Sequence, residues 1–256
     1  MAEIRAYLDE RRDLAQRGLQ RGVFVRAARL VTPYRFRQWV KLNGTAVLLP
    51  WWWLKARSVQ RAAARNGNAL RLNLGSGPRR ISGWLNVDLA GMKPDLAWDL
   101  RRGVPFPDDS AQAVFLEHFV EHFPLSEVFE ILEEARRVLC PGGTIRVGVP
   151  DFGRYMESYA RDGSFIEQLR PGRPTRLLAV AEVALFHGHR SVWDGTTLAR
   201  VLTEAGFTNV RVRSFGESTL EPAPDTPMRE PESVYAEGQK PGSAAESSAS
   251  APPLTG

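Results

Sequence analysis

Apolar and polar positions along the chain fall into two regimes. Over residues 3–30, Ile4, Leu8, Ala15 and Leu19 recur near the helical period with arginines on the other faces, which predicts an amphipathic helix. Pro33 interrupts that pattern, and Ser58 to Asn66 reads as a short basic helix ended by the Asn66-Gly67 turn signal. From Leu70 the rhythm changes. LRLNL (70–74), WLNVDL (84–89), DLAWDL (95–100), QAVFL (112–116) and TIRVGV (144–149) are short apolar runs separated by turns or helical stretches. Such alternation predicts an α/β domain built on a mainly parallel sheet.

The clearest helix covers 125–138, where Leu125, Val128, Phe129, Leu132, Ala135 and Val138 share a face, with Pro141-Gly142-Gly143 as its stop. A second helix starts after Asp194, a natural N-cap, and ends at Gly206. FTNVRVRSF (207–215) and ESVYAEGQ (232–239) then read as an antiparallel pair with a long connection. Residues 241–256 lack the apolar side chains for a core and read as a disordered tail. Three regions result: a helical extension over 1–68, an α/β domain over 69–240 and the tail.

Composition adds charge asymmetry to this picture. Residues 1–88 carry 17 Lys/Arg against 5 Asp/Glu, whereas residues 89–256 carry 17 against 24, and no acid occurs between Asp13 and Asp88. The basic stretch over 14–71 contains Trp51-Trp52-Trp53, so an anionic surface, a membrane interface above all, is an expected partner. The apolar window TAVLLPWWWL (45–54) is too short to span a bilayer, and no run of 18 apolar residues exists. The single cysteine, Cys140, and the charged N-terminus fit a reducing compartment, so the expected location is the cytoplasm, peripheral at a membrane where the basic segment meets one.

The chemistry concentrates after the first strand. Leu74-Gly75-Ser76-Gly77 turns straight out of a strand, and glycines there let a ligand approach the backbone. The next strand ends in Asp88, whose carboxylate can accept from the two hydroxyls of a ribose. A dinucleotide fingerprint would need a third glycine where Arg80 stands and an acid roughly 20 residues on, so NAD fits poorly.

From about Leu70 to Lys240 the chain resembles the class I S-adenosylmethionine-dependent methyltransferases, particularly a compact bacterial branch. The resemblance is carried, in the family's order, by LNLGSGP, NVDL, WDLRRGVPFPDDS, LEHFVEHF, LEEARRVLCPGGTIRVGVPD and HGHRSVWDGTTLARVLTEAGFTNV. It implies a Rossmann-like methyltransferase fold with seven strands and a C-terminal antiparallel hairpin. It also implies S-adenosylmethionine as cofactor, met by Asn73, Gly75, Ser76, Gly77, Asp88, Asp99, Leu100 and Glu117. The departures are Asn73 in place of the usual acid, Arg79 in place of a third glycine, Gln112 in place of an Asp, and a short link to the second strand.

Transfer of a sulfonium methyl depends largely on positioning and exclusion of water. A hydroxyl or amine acceptor also needs a base, for which His118, His122, Asp151, His187 and His189 are candidates, all beyond strand ends. His118, Glu121 and His122 spell H-x-x-E-H, a zinc-hydrolase pattern, but the methyltransferase-like order already accounts for that segment and no metal is expected. The fourth strand ends in Leu-Glu-His and not in an Asp/Asn-Pro-Pro-Tyr-like motif, which argues against nucleic acid. A small-molecule or glycan acceptor is expected. The competing classes are a non-enzymatic adaptor on the same fold and, more distantly, an NAD-dependent oxidoreductase.

Overall fold

The computed structural model describes residues 4, 6, 7, 49–65, 69–89 and 94–242. Most of the helix expected over 3–30 and nearly all of the tail lie outside them. Of the former, Ile4, Ala6 and Tyr7 are helical, and the buried Tyr7 hydroxyl donates to Glu182 Oε2 at 3.0 Å.

Helix α1 (Leu49–Arg65) starts earlier than Ser58, because Pro50 falls in the first turn, where an amide has no helical partner to lose. The expected short basic helix is therefore the second half of a 17-residue one. Trp52, Ala56, Val59 and Ala63 recur at helical spacing and pack on the main core, with Ala56 fully buried. The core therefore continues across the sequence boundary at 68.

Seven strands follow: β1 (Leu70–Leu74), β2 (Leu85–Asp88), β3 (Leu96–Ala97), β4 (Ala111–Glu117), β5 (Leu139–Pro150), β6 (Thr208–Arg213) and β7 (Ser233–Gln239). They form one sheet in the order β3-β2-β1-β4-β5-β7-β6. All neighbours run parallel except β7, which is antiparallel to both β5 and β6. This is the seven-stranded Rossmann-like arrangement with a C-terminal antiparallel pair that the resemblance implied. The order reverses between β1 and β4, and the carboxyl ends of strands at such a reversal form the crevice where open α/β sheets bind ligands.

Helix α2 (Leu125–Val138) lies between β4 and β5 and buries Val128, Ile131, Leu132, Ala135 and Val138, while Leu125 stays exposed. Strand β5 begins directly at Leu139, so Pro141-Gly142-Gly143 is its entry rather than a separate turn before it.

The β5–β6 crossover holds α3 (Phe152–Ala160), α4 (Ser164–Leu169), α5 (Arg176–Ala181), a π turn (Glu182–Phe186) and α6 (Gly195–Glu204). Of these only α6 was legible beforehand, and Asp194 caps it as expected, accepting from Thr197 N at 2.7 Å. Residues 75–84, by contrast, link β1 to β2 without a helix. Asn86 organises this short link, its Oδ1 accepting from Ile81 N and its Nδ2 donating to Trp84 O.

The long β6–β7 connection returns over the sheet. Arg146 of β5, fully buried, holds it through Nε to Asp225 Oδ1 at 2.6 Å and Nη1 to the carbonyl of Glu217 at 2.9 Å, and it also reaches Glu237 of β7 at 3.0 Å. A short 3₁₀ segment, Pro227–Glu232, then closes the connection, its Glu232 carbonyl accepting from Asp151 N just beyond β5 at 2.8 Å.

Candidate active site

Two neighbouring places at the carboxyl ends of the strands are candidates for the chemistry. The first is the turn after β1. Gly75 and Gly77 take left-handed φ values of +72° and +56°, which a side chain would strain. Their surroundings differ. A Cβ on Gly75 would sit 2.1 Å from Cδ2 of Phe119, so a neighbouring ring, not an open approach, requires this glycine. Beside Gly77 there is open space.

The amides of Gly75 and Ser76 bond the carbonyl of Val87, and that of Gly77 bonds Oδ2 of Asp88 at 2.9 Å. The turn is thus tied to β2, and its amides are engaged there rather than presented to a ligand. What it offers a ligand is the buried Ser76 hydroxyl, which has no hydrogen-bond partner, the opening beside Gly77 and the Asp88 carboxylate next to it. A ligand rich in hydroxyl and amino groups fits such a cradle, and S-adenosylmethionine is one.

The other residues expected at the cofactor are placed as follows. Asn73 is buried, with Nδ2 donating to Asn86 Oδ1 at 2.9 Å, so it braces β1 against β2. Asp99 receives both Nε and Nη2 of Arg101 at 2.9 Å and caps the 3₁₀ turn Leu100–Arg102. Leu100 is buried in the main core. Glu117 turns toward the β6–β7 connection, accepting from Thr226 N and the Tyr235 hydroxyl, each at 2.9 Å, and from the Thr226 hydroxyl.

The second place is a cavity of about 320 Å³ beyond the ends of β4 and β5. Four of the five base candidates, His118, His122, His187 and His189, line it together with Glu121, Arg170, Arg229 and Glu232. Asp151 stands apart from them: its Oδ1 accepts from Arg154 N and caps α3, and burial raises its pKa.

The segments converge through the backbone. His118 follows β4 in a left-handed conformation (φ 49°), and its amide bonds Gly148 O of β5. Residues 120–122 form one 3₁₀ turn, and the carbonyl of Glu121 accepts from Arg190 N at 2.7 Å and Ser191 N at 3.2 Å. That pair of bonds lays the His187–His189 segment against the turn. The two places touch as well: Phe119 covers Gly75, and Arg79 of the β1–β2 link reaches the Met228 sulfur at 2.9 Å.

Burial dominates the electrostatics. It pushes the His118 imidazole down to about 2 and that of His189 to about 4, so both are neutral at physiological pH, and it lowers His122 too. It pushes the Glu121 carboxyl up to about 8. His118 Nε2 is 2.7 Å from the Ser233 hydroxyl. Sequence reasoning named the histidines but missed Arg170, Arg229 and Glu232. Arg170 and Arg229 both bond Glu232, at 2.8 and 3.2 Å, yet come from separate connections with no shared motif.

Residues 93–147 match a family described as a methyltransferase domain; the match runs from β3 into β5 and begins after the glycine turn. No curated protein matches the sequence. Among solved structures, a methyltransferase from Archaeoglobus fulgidus is 16% identical over 81% of this chain and 100% of its own, with a TM-score of 0.43. A methyltransferase from Thermotoga maritima is 17% identical over 55% of this chain, with a TM-score of 0.34. Human N-acetylserotonin methyltransferase with bound S-adenosylmethionine is 16% identical over 56%, with a TM-score of 0.35. The chain covers 60% of the Thermotoga protein's length and 32% of the human one.

Proposed function

We propose that this chain, a class I methyltransferase by its sheet order and its family match, moves a methyl group from S-adenosylmethionine to a small hydroxylated acceptor, with glycans the leading class. The cofactor would lie against the Gly75–Gly77 turn, with Ser76 and Asp88 as its polar partners. Bound there, it supplies an electrophilic methyl on a sulfonium centre. The chain's own residues do the rest. Phe119, packed on Gly75 between turn and cavity, excludes water from the junction. Arg229 and the Arg170–Glu232 pair present several donors and acceptors to one bound molecule, which suits a sugar better than an apolar acceptor. His187, which also lines the cavity, can take the proton leaving an acceptor hydroxyl.

The observation that carries this reading is the junction itself: a left-handed glycine turn with an orphan hydroxyl beside a polar cavity, both at the carboxyl ends of the strands. Calorimetry with S-adenosylhomocysteine and with NAD tests it. Binding of the first alone supports transfer, binding of the second alone supports redox chemistry, and binding of neither leaves an adaptor. A methylation screen over glycans and small hydroxylated metabolites then identifies the acceptor class. Trp51, Trp53 and Leu54 of α1 are exposed, and with the surrounding basic residues they favour peripheral seating on an anionic membrane.

A further inference from the structure

We propose that Glu121, His122 and His189 form a binding site for a divalent transition metal of the zinc type, with an open coordination position facing the polar cavity. One donor atom from each residue lies within 4.8 Å of the other two. The carboxyl of Glu121 is 1% exposed, and neither of its oxygens has a hydrogen-bond partner. A buried carboxyl left this way is among the costliest arrangements in a folded chain, so the site calls for a cation or donor to complete it.

The nearest nitrogens are His118 Nδ1 at 3.7 Å and His189 Nε2 at 3.9 Å from Glu121 Oε1. Those separations are too long for hydrogen bonds. The His189 separation is about half an ångström beyond the roughly 3.3–3.5 Å between neighbouring ligands of a tetrahedral ion with bonds of about 2.0–2.1 Å.

The two imidazoles also meet ring to ring, the centroids of His122 and His189 lying 5.0 Å apart. The bonds from Arg190 N and Ser191 N to the Glu121 carbonyl fix the two segments together before any ion arrives.

Two imidazoles and one carboxylate suit zinc and its neighbours better than calcium or magnesium, and three protein ligands leave a fourth position for water or substrate. The Arg229 guanidinium also faces this cavity, but it is drawn to Glu232, as is Arg170. The site is not the one the H-x-x-E-H spacing suggested. His118 and His122 do not share a helix face, since His118 is left-handed and turned to Ser233, while the second histidine comes from beyond β5. The expectation of no metal is replaced by this proposal, which stands independently of the methyltransferase reading.

The test uses the full chain, freed of any affinity tag and stripped with a chelator. Titration with Co²⁺ should give one saturable equivalent with visible d–d absorption, displaced by one equivalent of Zn²⁺. Glu121→Gln and His189→Ala should each weaken Co²⁺ binding roughly 100-fold or more. Zn²⁺ should raise the melting temperature of the unaltered protein and leave that of Glu121→Gln unchanged. Absence of saturable Co²⁺ binding to the folded, unaltered chain overturns the proposal, whether or not the variants fold. Binding that persists at full strength in both variants overturns it too, because the ion would then sit elsewhere.

Discussion

Asp88 has one task in the structure and a second in the proposed function. Its Oδ2 secures the Gly77 amide, and its carboxylate is the group at the end of β2 suited to a ribose. Asp88→Ala should therefore weaken S-adenosylhomocysteine by about 1.5–3 kcal/mol, the range for charge-assisted hydrogen bonds. Calorimetry on a variant shown to be folded by circular dichroism checks this, and unchanged affinity would remove Asp88 from the cofactor site. Gly75 makes a sharper test of packing. An alanine there adds strain at φ +72° and drives its Cβ into the Phe119 ring, so Gly75→Ala should cost about 1–3 kcal/mol in denaturant unfolding. In a double-mutant cycle with Phe119→Ala, part of that cost should vanish, whereas strict additivity would mean that backbone strain alone requires the glycine. The need for glycine was legible in the sequence; the reason for it was not, because Phe119 lies on another strand's end.

At the level of elements, α2 is held to the β3–β4 connection by one electrostatic clamp. Glu134 accepts from Val104 N at 2.9 Å and from Arg137 Nε at 2.7 Å, while Arg137 also donates to the carbonyls of Val104 and Phe106. The Arg137 guanidinium, hydrogen-bonded to the Glu134 carboxyl, holds it below the usual carboxylate range. A depressed carboxyl contributes stability that is fully present above its unfolded pKa, about 4.3. That contribution is lost as pH falls through the folded value. Glu134→Gln should thus lower stability at pH 7 and flatten its decline between about pH 5 and 3, measured as unfolding midpoints across pH. An equally steep acid limb in the variant would assign the decline to other carboxyls. The helix itself was readable from its period and so was α6 from its cap, but α3, α4 and α5 were not. These are 9, 6 and 6 residues long, too short for periodicity to stand out, and they are held by tertiary packing of Tyr155, Ile166, Ala179, Val180 and Val183.

At the scale of the whole molecule, α1 joins the basic extension to the sheet. Trp52 and Ala56 face the core, while Trp51 and Trp53 stay 55% and 41% exposed, with Lys55 over the rings of Trp51 and Trp52 and Arg57 over that of Trp53. Among the described residues no helix is long and apolar enough to cross a membrane, so any attachment through this face is interfacial. Vesicles with anionic lipid should co-sediment the protein. Trp51→Ala with Trp53→Ala should remove the part of that binding that survives high salt, and neutral vesicles should bind less. Sedimentation unaffected by either change would reduce the patch to a surface feature. The chain's own pattern of residues determined the strands, their number, the two well-marked helices and the class of fold, because apolar alternation, caps and glycine turns act over neighbouring residues. Only the tertiary structure decided which side chains meet: Phe119 on Gly75, Glu117 on Thr226, Arg146 on Asp225, and Glu121 with His122 and His189. Those pairs are far apart in sequence or turned by a single 3₁₀ turn, and contact between them follows from the crossovers that set strand order, which no local spacing encodes.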